Sequence, residues 1–143
     1  VSTTIGLIGE YAAASAILSM GWRVSMAQQD AIDLLAFKDD AFLRIQVKTA
    51  HALLSKGRRN PSCHFQLGHG GNKRLPTIKD YDIVALVKPD TRLCIFYPIQ
   101  AISQYTKRVN PTRFTAENEA ESWQKAVDVI MEMRRLNGLV KVS

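Results

Sequence analysis

Three residues in the first third of the chain, Asp33, Gln46 and Lys48, have types and spacing that could assemble a hard-cation site with an ammonium beside it. The stretch Arg44-Ile45-Gln46-Val47-Lys48-Thr49-Ala50 alternates as a β-strand does. Ile45, Val47 and Thr49 fall on one side, and Arg44, Gln46 and Lys48 on the other. Ile32-Asp33-Leu34-Leu35-Ala36-Phe37 reads as a second strand, and Lys38-Asp39-Asp40-Ala41 between the two has turn chemistry. A two-residue loop at Asp39 and Asp40 pairs Lys38 with Ala41, and counting back along the ladder sets Asp33 opposite Gln46 on one face. A four-residue loop gives the same register. Lys48 lies one same-side step further, so a carboxylate, an amide oxygen and an ammonium converge within roughly 5 to 8 Å. The same alternation would equally serve a hairpin with a plain solvated face.

The element that precedes this hairpin is a predicted helix from about Thr4 to Met20, with Gly21 where helices commonly end in a left-handed residue. Its apolar stripe is expected at Ile8, Tyr11, Ala12, Ser15 and Leu18. Glu10 is the one charged side chain in that helix. The helix dipole favours a glutamate in the first half, and beside Asp33 and Lys48 the same residue would serve as a further carboxylate aimed at the sheet edge. Trp22-Arg23-Val24-Ser25-Met26 reads as a strand and Gln28-Gln29-Asp30-Ala31 as a polar loop, with Asp30 a turn former.

Beyond the hairpin, Cys63-His64-Phe65-Gln66-Leu67 alternates as a strand between two basic, breaker-rich loops. One loop carries Lys56, Arg58 and Arg59 and the other Lys73 and Arg74. The pair suits a clamp on a phosphate backbone, and ordinary solvated loops would look the same. The glycines of the second loop match no nucleotide-binding fingerprint. Ile83-Val84-Ala85-Leu86-Val87 is an apolar run expected as a buried strand, returning through a turn at 88–91 into Leu93-Cys94-Ile95-Phe96-Tyr97. Pro98 is expected to open a short helical turn through Ile102, and 104–115 to be irregular. The last helix is predicted over about Asn118 to Leu136, ended by Gly138, with a packing stripe of Ala120, Trp123, Val127, Ile130 and Met131.

The 143 residues suffice for one domain with its own core, expected to span 1–143. No apolar run is long enough to cross a bilayer, and the first residues lack a signal-peptide pattern, so the expectation is an intracellular, cytoplasmic protein. Cys63 and Cys94 make no disulfide framework, and the three histidines have no metal-ligand spacing with them, so no zinc site is expected. A net charge of +6 points to a polyanionic partner, nucleic acid first among them.

In order, the chain carries Gly9-Glu10-Tyr11, Ile32-Asp33-Leu34, Gln46-Val47-Lys48-Thr49, Asp82-Ile83 and Phe96-Tyr97-Pro98. This set resembles the PD-(D/E)xK nuclease superfamily with the restriction-endonuclease-like fold, and within it the small intron-associated homing endonucleases that carry Gln-x-Lys. The resemblance implies an α/β core, a central mixed β-sheet flanked by an N-terminal helix and a long C-terminal helix. It implies an endonuclease hydrolysing DNA phosphodiester bonds with Mg2+, or with Mn2+ in its place. By the same resemblance Glu10, Asp33, Gln46 and Lys48 are the catalytic set. Asp33, Gln46, Glu10 and the Val47 carbonyl are the metal ligands. DNA is the partner, and a homodimer or higher oligomer is the assembly that suits cutting both strands. Two departures stand out: no proline precedes the motif aspartate, and Gln46 replaces a carboxylate. A catalytically inactive nucleic-acid-binding domain that retains the fold is the alternative.

Overall fold

The computed structural model describes residues 4–29, 31–50, 62–68 and 73–141, the side chains of 139–141 excepted. Helix α1 (Thr4–Ser19) stops where its sequence says it should. Gly21 is left-handed (φ 87°), and the N–H groups of Trp22 and Gly21 donate to Ile17 and Leu18 in the paired bonds of a Schellman stop. The buried face of α1 is not the expected stripe, however. Gly9, Glu10, Ala12, Ala13, Ala14, Ala16 and Ile17 face inward, while Tyr11, Ser15 and Leu18 are exposed. Close approach selects the small side: a Cβ on Gly9 would overlap Thr49 Oγ1 and stand 3.1 Å from Thr49 Cβ, leaving no room for larger side chains between helix and sheet.

Three antiparallel strands follow, β1 (Arg23–Gln29), β2 (Ile32–Lys38) and β3 (Ala41–Thr49). The expected polar loop at 28–31 is shorter than the sequence suggests. β1 runs on to Gln29 through an irregularity after Met26, with Gln28 at φ 51°. Asp30 lies outside the described residues. Strand β4 (Cys63–Gln66) leaves this sheet, and β5 (Ile83–Lys88) and β6 (Leu93–Pro98) complete it in the order β1-β2-β3-β5-β6. Only β3 and β5 are parallel, so the sheet is mixed. Every residue of β5 is buried, as its continuous apolar run requires of a strand covered on both faces.

The segment 104–115 is not irregular. It contains β7 (Thr106–Val109), which pairs with β4 in a two-stranded ribbon, and a 3-10 turn at Pro111–Arg113. A strand of four residues holding two adjacent cations gives too little alternation to be recognised alone. Pro98 ends β6 and precedes the 3-10 turn Ile99–Ala101, one residue ahead of its expected place. Helix α2 (Ala116–Lys141) starts earlier and ends later than expected. Thr115 Oγ1 accepts from the Asn118 N–H at its start, and Gly138 is an interior residue of the helix.

α2 lies along β6, whose outer edge would otherwise offer unpaired N–H groups. The Cys94 N–H donates to Glu119 Oε2 (2.9 Å) and the Phe96 N–H to Ser122 Oγ (3.0 Å), which closes that edge. Trp123 then packs edge-on against Phe96 and Trp22, with ring centroids 5.0 and 5.4 Å away.

The ladders assign the two faces of the sheet. Gln46 pairs with Val84 and Val84 with Tyr97, so these three share one face with Lys48; Val47, Thr49, Ala85 and Phe96 share the other. α1 covers the Thr49 face. Lys107 of β7 lies 4.5 Å from the Tyr97 ring, which puts the β4–β7 ribbon on the Gln46 face, with β4 in contact with β3. The β2–β3 part of that face sits beside it.

Candidate active site

The hairpin has the register that its turn implies, with Lys38 against Ala41 and Leu34 against Ile45, and Asp39 takes the left-handed conformation. Pairing ends at Leu34 and Ile45, and the Asp33 carboxylate fills the fork that opens there. Its Oδ2 accepts from Gln46 Nε2 and from the Val47 N–H, both at 2.8 Å. In a strand, a residue's C=O points to the same side as its N–H, so the Val47 carbonyl is directed toward the fork as well.

Glu10 and Gln46 are 8% and 9% exposed, and Asp33 and Lys48 are half-buried. Among the described residues neither the Glu10 carboxylate nor the Lys48 ammonium makes a hydrogen bond or ion pair. Burial, and then the Asp33 charge, pushes the Glu10 carboxyl up. Burial also pushes Asp33 up, against the Val47 N–H, the Gln46 amide and the Lys48 charge. It pulls Lys48 down, against the attraction of Asp33. Perturbed acids and a perturbed base gathered at one fork make it the candidate site.

The donors suit a hard divalent cation in part. Glu10 and the Oδ1 atom of Asp33 offer oxygens without hydrogen-bond donors, and a cation beside them would reverse the upward shifts of both acids. Gln46 presents Nε2 to Asp33, so its amide must turn over before its oxygen can join. Among the described residues no group of three His, Cys, Asp or Glu is close enough to hold a metal, so the set depends on Gln46 and a backbone carbonyl to go beyond two carboxylates.

The expected DNA-contacting residues divide. Lys56, Arg58 and Arg59 lie outside the described residues. Lys73 is exposed, whereas Arg74 is committed to a two-pronged pair with Asp80, both bonds 2.9 Å, and to the Leu75 carbonyl. An anion would have to compete with that carboxylate.

Sequence reasoning missed the support beneath the site. Asp82, 1% exposed, accepts from the Arg44 N–H (2.8 Å), the Arg44 guanidinium (3.1 and 3.2 Å) and Arg134 Nη2 (3.2 Å). Arg134 also donates to the Phe42 carbonyl, so α2 clamps the strand that carries Gln46 and Lys48. The available signal was Arg44 on the Gln46 side of β3, with an acid directly ahead of the apolar run of β5. A groove of about 450 Å³ between α1 and α2, lined by Tyr11, Ser15, Ser19, Arg92 and Glu119 among others, includes none of Glu10, Asp33, Gln46 and Lys48. It gathers no comparable acid and base set.

The sequence profile of the PD-(D/E)XK endonuclease family matches residues 2–130, and the chain belongs to that family. Among solved structures it is similar to a bacterial homing endonuclease, I-Ssp6803I, with a TM-score of 0.67 over 95% of this chain and 99% of that one. At 17% sequence identity the likeness is one of fold. No curated protein sequence matches. Among the described residues no helix is long and apolar enough to cross a membrane.

Proposed function

We propose that the protein is a metal-dependent DNA endonuclease whose reacting phosphate sits at the fork of β2 and β3, and that it acts as a homodimer. The observation that carries the reading is the Asp33 carboxylate, held by the Val47 N–H and Gln46 with Lys48 and Glu10 around it, in a chain of an endonuclease family. Asp33, Glu10, the Val47 carbonyl and a turned Gln46 would hold Mg2+, or Mn2+ in its place. When bound, such an ion supplies Lewis-acid polarisation of the phosphoryl group and offsets the charge that develops on it. Lys48 orients the attacking water or donates to a phosphoryl oxygen as negative charge builds there, an interaction worth most in the transition state. Two sites related by a two-fold axis match the antiparallel strands of a duplex.

One observation favours a second reading, a nucleic-acid-binding domain without activity. The Gln46 amide satisfies Asp33 with a hydrogen bond and needs no cation to do so.

Nicking of supercoiled plasmid with Mg2+ or Mn2+, beside gel shifts on the same preparations, separates the two. The endonuclease reading predicts that Lys48→Ala lowers cleavage by about 100-fold or more while binding stays nearly unchanged. A wild-type protein that binds DNA and, with either ion, cuts no member of a plasmid library carrying random inserts would establish the second reading.

A further inference from the structure

The β4–β7 ribbon has one face fully anchored and one face open. Cys63, Phe65 and Val109 are at most 1% exposed, and Lys107, paired with Phe65, lies over Tyr97. The opposite face pairs His64 with Arg108 and Gln66 with Thr106. Gln66 and Arg108 are exposed, and Arg108 makes no hydrogen bond or ion pair among the described residues. Among the described residues the Gln66 side chain has one hydrogen bond, a long 3.4 Å contact from Thr106 Oγ1.

We propose that this open face reads base edges in the major groove of duplex DNA, with Arg108 and Gln66 as the specificity-determining side chains. The inference rests on the endonuclease reading for its substrate.

Charge, size and position support it. Residues 62–68 and 104–115 contain Lys107, Arg108 and Arg113 and no acid, so the ribbon repels no phosphate. Four residues per strand give a length of about 10 to 14 Å, and two strands about 5 Å apart enter a groove about 12 Å wide. Arginine offers the two-pronged donor that matches guanine O6 and N7, and glutamine the donor and acceptor that match adenine N6 and N7. Lys107 anchors the ribbon to Tyr97, which lies two strands and so about 10 Å from Gln46 on the same face, and β4 touches β3, the strand that carries Gln46 and Lys48. A duplex held with one phosphate at Lys48 would present an adjacent groove to the ribbon.

The test is selection of bound sequences from a random duplex DNA library in EDTA, with wild type, Arg108→Lys and Gln66→Ala, and plasmid cleavage in Mg2+ measured alongside. Both positions are exposed, so melting temperatures should not move. Arg108→Lys keeps the charge and loses the fork, so total affinity and salt slope should hold while preference for one guanine falls by about 5- to 150-fold. Gln66→Ala should flatten preference at a different position. Identical preferences in all three proteins, or no preference in wild type, would overturn the inference. So would equal competition by an A-form RNA duplex, whose major groove is too narrow for a ribbon. Base preferences lost in the variants of a protein that never cuts would uphold this inference and overturn the endonuclease reading alone.

Discussion

Gly9→Ala is the substitution for which the structure gives the most definite consequence. The new Cβ would overlap Thr49 Oγ1 and stand 3.1 Å from Thr49 Cβ and 3.3 Å from Cγ2, all on the strand that carries Lys48. A β-branched neighbour has little freedom to swing away, so α1 must lift. Overpacking of this kind costs about 1 to 3 kcal/mol, and the better helix propensity of alanine returns about 1 kcal/mol. The overlap is with a stiff side chain, which puts the net loss at about 1 to 2 kcal/mol, or roughly 2 to 8 °C in melting temperature. Glu10 follows the helix, so cleavage should fall as well. Adding Thr49→Ala removes Oγ1 and Cγ2 but leaves the 3.1 Å Cβ contact, tight by a few tenths of an ångström, so rescue should be partial. Urea denaturation of the four proteins of this double-mutant cycle, with plasmid nicking on each, measures the coupling. Additive effects, or a Gly9→Ala protein as stable and active as wild type, would refute the close approach as the reason for glycine here.

Glu119 carries a pH dependence. Burial raises its carboxyl above the ordinary 4.5 despite the Cys94 N–H, so its contribution to stability is fully present below pH 4.5 and is lost as pH rises through the folded value. Glu119→Gln, which can still accept from Cys94, should remove that decline in denaturation midpoints measured from pH 4 to 7; an unaltered profile would contradict it. Asp82→Ala should destabilise by about 3 kcal/mol, the low end for a broken buried pair because the two guanidinium groups can regain some water. The side chains of Arg44 and Arg134 are 25% and 37% exposed, and thermal unfolding should show Arg134→Ala costing far less, since Arg44 still holds Asp82.

The hairpin was legible because its signals were local. The turn at Asp39 and Asp40 fixes the register, and period two then carries Asp33 to Gln46 without knowledge of the rest of the fold. The order of Glu10, Asp33, Gln46 and Lys48 supplied the family. The inward side of α1 was not legible, because a helix rich in alanine, glycine and large apolar residues has almost no amphipathic contrast, and Thr49 decides which side fits. β7 was missed because its pairing with β4 joins residues some 40 positions apart, and a segment of four residues has too little pattern to show it. The Asp82 clamp depends on Arg44 and Arg134, which meet only when α2 is in place. Long-range pairing and close packing therefore account for each of these misses.

If the fork holds a divalent cation on Asp33, calorimetric Mg2+ titration detects it. Gln46→Glu replaces the amide donor to Asp33 with a second carboxylate, a pair that a cation bridges, and should bind most tightly, followed by wild type and then Gln46→Leu. Asp33→Asn should bind least, since it removes the charge the site most needs beside the Lys48 ammonium. Equal affinity in all four proteins, or no heat in any of them, would mean that the fork binds no cation.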